Sequence, residues 1–367
     1  MTPVLVRALR LTNLRAHREL EVALQPGLNV LVGLNGAGKT TVLEAANIVL
    51  CGSMLRPGTP RDLMTHGQDY LRVEATLEEA GAIVIAAVAM SRDGERKATA
   101  DGAVLDDFSR WEGRVPVRSF LPDDLRLIKG SPRRRREYLD TLCSRCQPDY
   151  RSVLRQYDQA LAQRNALLRS ARHGDAGDQY SPWDAMLAKT GLAVVSRRSA
   201  ALASFVRSFQ VTYAELTGEP ADSVRLVYRT NVGDMDEQAY ESRLVASRAA
   251  DQQRTFTHLG PHRDDLRLVR RELDMRDCAS QGEQRAAVLA LVLAEWAYLC
   301  GSSSQPLLLL DDVMSELDTG RRRALVALLS QGGQTVITTT DPSHFSSEEL
   351  SEAHVVDLSR PETLVRT

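Results

Sequence analysis

The sequence predicts an α/β fold interrupted by an inserted α-helical lobe. Three observations predict it. A buried strand runs through a glycine-rich loop into a helix near residue 33, a second buried strand ends in carboxylates at residue 311, and residues 132–218 between them are almost wholly helical in pattern.

The first observation is the most specific. Leu28-Asn29-Val30-Leu31-Val32 reads as a buried strand and Thr41 to Leu50 as a helix. Between them Gly33-Leu34-Asn35-Gly36-Ala37-Gly38-Lys39-Thr40 reads G-x-x-x-x-G-K-T. That is the strand–loop–helix setting of a phosphate-binding loop. Its glycines let the backbone close into a cup without Cβ clashes, and the N–H groups of the cup can bond phosphate oxygens. Lys39 sets a cation against the β- and γ-phosphates, and the Thr40 hydroxyl can ligate magnesium. The positive end of the helix adds to the anion site. The expected ATP-binding residues are Gly33, Leu34, Asn35, Gly36, Ala37, Gly38, Lys39, Thr40 and Thr41.

Ahead of this loop, residues 4–11 and Leu20 to Leu24 alternate apolar and polar, as strands with one covered face do. The basic turn Asn13-Leu14-Arg15-Ala16-His17-Arg18 between them reads either as a nucleotide contact or as a solvated turn. Beyond the helix, Pro57-Gly58-Thr59-Pro60 is rich in breakers. Strand patterns follow at Leu71 to Leu77, Ala82 to Met90 and Val115 to Phe120, with Asp93-Gly94 as a hairpin signal.

The character changes at Leu121-Pro122. Pro132 suits a helix start, Gln147-Pro148 and His173 to Asp178 read as breaks, and Ser181-Pro182 opens another helix. Apolar residues keep helical spacing at 150, 153, 154, 157 and 161, and again at 202, 205, 206, 209 and 213. The heptads are not sustained, which excludes a long coiled coil. The pattern then gives a strand at Ser223 to Tyr228, a helix at Asp236 to Ala250, a long apolar helix opened by Ser280, and a core strand at Gln334 to Thr340. The expected organisation is one head, residues 1–120 and 219–367, with a helical lobe at 121–218 inserted between its halves.

Leu307 to Leu310 followed by Asp311-Asp312 reads as the second half of the nucleotide site. A strand buried on both faces belongs in a parallel sheet, and its end delivers a carboxylate to magnesium in phosphate-loop NTPases. Thr40 and Asp311 are thus the expected metal ligands. Asp312 can orient the attacking water or take its proton, which with Lys39 gives the expected catalytic pair. Lys39 and Asp311 stand 272 positions apart, and such an insertion is characteristic of ABC-type ATPases. Ser280-Gln281-Gly282-Glu283-Gln284 resembles the signature of that class, usually S-G-G-x-Q. A capping box explains Ser280 and Glu283 but leaves Gln281, Gly282 and Gln284 unexplained. Ser315-Glu316-Leu317-Asp318 matches the loop that follows the acidic strand in the same class. The expected fold is therefore an ABC-type P-loop ATPase head with an inserted α-helical lobe.

Net charge is −2, so any nucleic-acid surface must come from local clustering. Lys129, Arg133, Arg134, Arg135 and Arg136 form such a cluster, readable as a DNA phosphate contact or as a solvated helix face. Arg321-Arg322-Arg323 reads as helix surface. Five scattered cysteines suit a reducing cytoplasm rather than a disulfide framework, and Cys143-Ser-Arg-Cys146 lacks the second pair that zinc would need. The N-terminus does not read as a signal peptide. The most apolar run, Ala286 to Leu299, is broken by Glu295 and too short to span a bilayer, so no membrane association is expected.

Longer blocks narrow the class. Phe120 to Pro132 with Arg133 to Arg136 and Glu137-Tyr138-Leu139-Asp140, Gln163 to Leu168, Gly260-Pro261-His262-Arg263-Asp264-Asp265, Ala279 to Arg285, and Thr338-Thr339-Thr340-Asp341 together resemble the RecF family from about residue 4 to about 345. The resemblance implies an SMC-like head, ATP and magnesium as cofactors, and a homodimer formed on DNA in the ATP state. It also implies weak DNA-stimulated ATP hydrolysis, and action with RecO and RecR at gaps in recombinational repair and replication restart. It places Ser280 to Gln284 against the nucleotide of the other subunit. The shared motifs also allow the ATPase subunit of a membrane transporter. Transporters usually carry Glu at the place of Asp312 and His near Thr340. A glutamine at the lobe junction is missing, with Asp123 or Asp124 as stand-in.

Overall fold

The computed structural model describes residues 4–56, 58–105, 114–147, 149–170, 177–300 and 306–359. The breaker at Pro57, the break at Pro148 and the first part of the break at 173–178 lie outside the described residues.

In chain order, β1 (Val4–Leu14), β2 (His17–Ala23) and β3 (Leu28–Val32) precede α1 (Lys39–Cys51) and the short α2 (Pro60–Leu63). Then come β4 (Tyr70–Glu79), β5 (Ala82–Ser91), β6 (Arg96–Ala100), β7 (Ala103–Val104) and β8 (Val117–Phe120). The helices α3 (Arg126–Lys129), α4 (Pro132–Cys146), α5 (Tyr150–Ser170) and α6 (Ser181–Thr217) follow. Next are β9 (Val224–Arg229), α7 (Glu237–Arg254), β10 (Asp265–Arg270), β11 (Leu273–Asp274), α8 (Met275–Cys278) and α9 (Gln281–Cys300). The chain closes with β12 (Leu307–Leu310), α10 (Thr319–Leu329), β13 (Thr335–Thr339), α11 (Ser347–Glu352) and β14 (His354–Asp357).

Two compact units form. The first holds residues 1–124, 212–218 and 289–367. Its parallel sheet has the order β14-β3-β13-β12-β8, and its antiparallel sheet the order β2-β1-β4-β5-β6-β7. The helix α1 touches strands of both sheets, and Thr41 to Leu50 are buried without a break. A helix that is apolar on every side must lie inside a core, and Val42, Leu43, Ile48 and Val49 fill the space between the sheets. Gln334 joins the two sheets by hydrogen bonds: its Oε1 accepts from Val6 N at 2.9 Å, and its Nε2 donates to Val6 O at 2.7 Å and Gln25 O at 3.0 Å. All four residues of β12 are buried, as expected for an inner parallel strand.

The second unit holds residues 125–211 and 219–288. It is larger than the lobe expected at 121–218, because β10 packs on α4 and α7 packs on α5. Buried charge ties its helices together. Arg164 of α5 is fully buried and donates to Asp184 of α6 at 2.6 Å, to Asp251 of α7 at 2.7 Å, to Thr257 at 2.8 Å and to Leu244 O at 3.0 Å. No disulfide forms among the described residues. Among the described residues no helix is long and apolar enough to cross a membrane.

Candidate nucleotide site

The glycine loop leaves β3 at the end of the parallel sheet. Gly36 and Gly38 both take φ +86°, the left-handed region that favours glycine. Gly38 is constrained further by packing: a Cβ there would lie 1.8 Å from His17 Nε2. The backbone N–H of Val42 bonds Gly38 O at 3.1 Å, so α1 starts directly from the loop. Lys39 is buried, and its Nζ donates to Gly33 O at 2.7 Å and Leu34 O at 3.0 Å. Its ammonium therefore spans the mouth of the loop. Burial lowers the Lys39 pKa, and the nearby charges of Asp312 and Asp311 oppose that shift.

The second half arrives on β12. The Thr40 hydroxyl lies 2.9 Å and 3.0 Å from the two carboxylate oxygens of Asp311. Thr338 on the neighbouring β13 donates to the same carboxylate at 2.9 Å. Arg56 pairs with it at 3.3 Å. Asp312 follows with φ +49°, a conformation uncommon for a non-glycine residue. Its backbone N–H bonds Thr338 Oγ1 at 2.9 Å, while its Oδ1 is buried without a hydrogen-bond partner among the described residues. Ser315 donates to Asp312 O at 3.0 Å, and Asp318 caps α10 through Arg321 N at 3.0 Å.

These residues suit a magnesium nucleotide. No group of three His, Cys, Asp or Glu side chains that could hold a metal stands among the described residues. A phosphate-loop site needs none, because magnesium there takes one or two protein ligands plus phosphate oxygens and water. The donor set of one hydroxyl and one carboxylate matches that chemistry. Asp312, next in the chain, adds a buried carboxylate oxygen without a hydrogen-bond partner among the described residues, and its charge acts on Lys39.

The turn between β1 and β2 shrinks to Arg15 and Ala16, and it belongs to the site's support. Arg15 grips Glu44 of α1 through two bonds of 3.0 Å and 2.8 Å and reaches Asp62 O at 3.0 Å. Burial lowers the His17 pKa, against a hydrogen bond with the Ala37 backbone. Arg56 and Thr338 were not singled out by sequence reasoning for this role. Thr338 lies in the stretch Thr338 to Asp341 that resembles the RecF family, but the contact of Arg56 with Asp311 spans 255 positions and has no local signal. Of the proposed stand-ins at the lobe junction, Asp124 is used as a cap, accepting from Leu121 N at 2.7 Å. His344 lies 3.3 Å from Thr339 Oγ1, four residues beyond Thr340.

The signature residues belong to the second unit. Ser280 is exposed ahead of α9. Its N–H donates to Glu283 Oε2 at 2.8 Å, and its Oγ accepts from Glu283 N at 3.3 Å, a closed capping box. Gln284 is buried and donates to Met275 O at 3.0 Å and Ala279 O at 2.9 Å. The basic cluster divides in the structure. Lys129 and Arg133 are exposed and Arg134 partly so. Arg135 turns inward: it is 4% exposed and forms a bidentate pair with Asp265 at 2.6 Å and 3.1 Å. Arg136 donates to Asp264 O at 2.8 Å. The burial of Arg135 takes it out of the surface cluster.

The RecF/RecN/SMC N terminal domain family matches residues 5–357. The DNA replication and repair protein RecF of Heliobacterium modesticaldum is 35% identical over 358 residues, 95% of this chain and 96% of that protein. The chain belongs to the RecF family. The RecF of Moorella thermoacetica is 34% identical over 98% of this chain and 96% of its own length. A solved structure of the recombination mediator protein RecF with ATP, in the RecFOR pathway, matches this RecF-family chain with a TM-score of 0.81 at 28% identity, covering 94% of each. The Smc head of Pyrococcus furiosus bound to the C-terminal domain of ScpA matches with a TM-score of 0.57 at 15% identity, covering 96% of this chain and 93% of that one. That likeness concerns the fold alone, the ABC-type P-loop head that RecF and SMC proteins share.

Proposed function

We propose that this RecF-family chain is an ATP-switched DNA-binding protein of recombinational repair and replication restart. ATP drives its homodimerisation on DNA, hydrolysis is weak and stimulated by DNA, and it acts in the cytoplasm with RecO and RecR at gaps. The observation that carries this reading is the Thr40–Asp311 juxtaposition. It brings the hydroxyl of the phosphate loop to the carboxylate of a strand 271 positions away. The relatives named DNA replication and repair protein RecF, and the RecF structures of the RecFOR pathway solved with ATP and ATPrS, support it.

In this reading Gly33 to Gly38 cradle the phosphates through backbone N–H groups, with Thr41 beside them. Lys39 exchanges its two carbonyl partners for phosphate oxygens. Thr40 and Asp311 hold magnesium, which when bound neutralises phosphate charge. Asp312 offers its unpartnered oxygen to the attacking water. Ser280, Gln281 and Gly282 contact the nucleotide of a second copy, while Glu283 and the buried Gln284 hold that turn from within. Lys129, Arg133 and Arg134 contact DNA phosphates, with Arg136 held at their edge.

Light scattering of the full chain with and without ATP, magnesium and duplex DNA tests the reading. A dimer that requires ATP is expected. A monomer under every condition contradicts it.

A further inference from the structure

Three ionisable side chains of the second unit converge behind Ser280. Glu283 Oε2 accepts from Ser280 N at 2.8 Å, and its other oxygen lies 3.2 Å from Arg270 Nη1. Arg270 in turn donates two bonds to Glu219, from Nε at 3.0 Å and from Nη2 at 2.8 Å. All three are largely buried, with Arg270 15%, Glu219 18% and Glu283 25% exposed. Arg270 is the last residue of β10, and the turn after it, Arg271-Glu272, takes φ +48° and +67° before β11 returns in register opposite Arg270. Both central residues are left-handed, as in the tight hairpin turns that match strand twist. The hairpin fixes the root of the Arg270 side chain.

The charge at Glu283 conflicts with a phosphate at Ser280. A capping-box carboxylate suits a helix N-terminus on its own. The same carboxylate repels an anion brought to that terminus, because both occupy the positive end of one dipole. Arg270 resolves the conflict. It holds Glu283 in the geometry that caps Ser280 and, with Arg271 Nη2 3.8 Å from Glu219, balances the charge of the two carboxylates. The Ser280 Oγ accepts from Glu283 N at 3.3 Å, so its own proton is left to donate outward.

We propose that Arg270 is a positioning residue for the signature. By neutralising Glu283 it makes the start of α9 receptive to the γ-phosphate of ATP bound by a second copy of this chain. The proposal rests on the reading of Ser280 as an in-trans contact. Glu219 steers the guanidinium from the other side.

Sedimentation velocity of the full chain with ATP and magnesium tests it, using Arg270→Gln, Arg270→Lys and the double variant Arg270→Gln with Glu283→Gln. Arg270→Gln is expected to bind ATP as the wild type does, yet to need about tenfold more protein to dimerise. Arg270→Lys keeps the charge but not the fork that spans Glu219 and Glu283, and its protein requirement is expected to fall between those of wild type and Arg270→Gln. In the double variant a Gln still closes the capping box, the carboxylate at the start of α9 is gone while Glu219 keeps Arg271 beside it, and dimerisation is expected to return to within about threefold of wild type. A merely structural role for Arg270 would not be rescued by removing its partner's charge. Wild-type dimerisation by Arg270→Gln, loss of its ATP binding, or a double variant no better than the single one overturns the proposal. If Arg270→Gln shows no cooperative melting transition, Glu283→Gln alone decides. It is expected to dimerise at least as readily as wild type, and weaker dimerisation overturns the proposal. A wild-type chain that stays monomeric with ATP overturns both this proposal and the reading beneath it.

Discussion

Gly38 carries two independent constraints, a left-handed backbone at φ +86° and the His17 ring where a side chain would go. Gly38→Ala is therefore expected to cost about 2–4 kcal/mol of stability and to lose ATP binding. Denaturant melts and nucleotide titration check this. Adding His17→Ala is expected to relieve the clash but not the backbone strain. His262 gives a pH prediction. Its Nε2 lies 2.9 Å from Thr257 O and must donate to it, so Nδ1 accepts from the Tyr157 hydroxyl at 2.5 Å. Burial, helped by the charges of Arg263 and Arg136 and opposed by the Thr257 bond and by Asp251, pulls its pKa from 6.5 to about 4. Between those values the unfolded chain binds a proton that the folded chain refuses. Stability is expected to fall by about 3 kcal/mol as pH drops through that window, and to level off below it. In His262→Gln the amide can make both bonds without titrating. Its urea-melt stability is expected to lose most of this pH slope, and an unchanged slope contradicts the assignment.

The elements of the nucleotide site were legible because their signals are local. The sequence reads a strand at Leu28 to Val32, a helix from the loop to Leu50 and a buried strand at Leu307 to Leu310, and the structure has β3, α1 and β12 there. Each is marked by a run of apolar residues and by glycines or carboxylates at its end. What joins elements was not legible. The Gln334 amide between two sheets, Arg56 on Asp311 and Arg270 on Glu283 are single side chains whose partners are set by topology. The same holds for Arg164: the helical pattern around it is plain, but nothing in that pattern tells a buried arginine from a solvated one. Arg164→Ala is expected to destabilise the second unit by about 3–5 kcal/mol, because Asp184 and Asp251 would stay buried without it. Hydrogen exchange localised to α5, α6 and α7 checks this. Loss confined to a frayed helix end contradicts the hub.

Across the whole chain, compactness follows packing rather than the order of helical and strand patterns. Residues 219–288 join the helices because β10 packs on α4 and α7 on α5, and Ser280 goes with them. The phosphate loop and the acidic strand stay in the first unit. The proposed function then makes the nucleotide site a property of two chains. The most direct test is complementation between Lys39→Met, which removes the loop cation, and Ser280→Arg, which fills the signature. Alone, neither is expected to dimerise with ATP, and Ser280→Arg is expected still to bind ATP. Mixed in equal amounts they can assemble one intact site, from the loop of the Ser280→Arg chain and the signature of the Lys39→Met chain. Sedimentation velocity of the mixture with ATP and magnesium is expected to show a dimer absent from either variant alone. A mixture that sediments as the sum of two monomers contradicts a site shared between two copies.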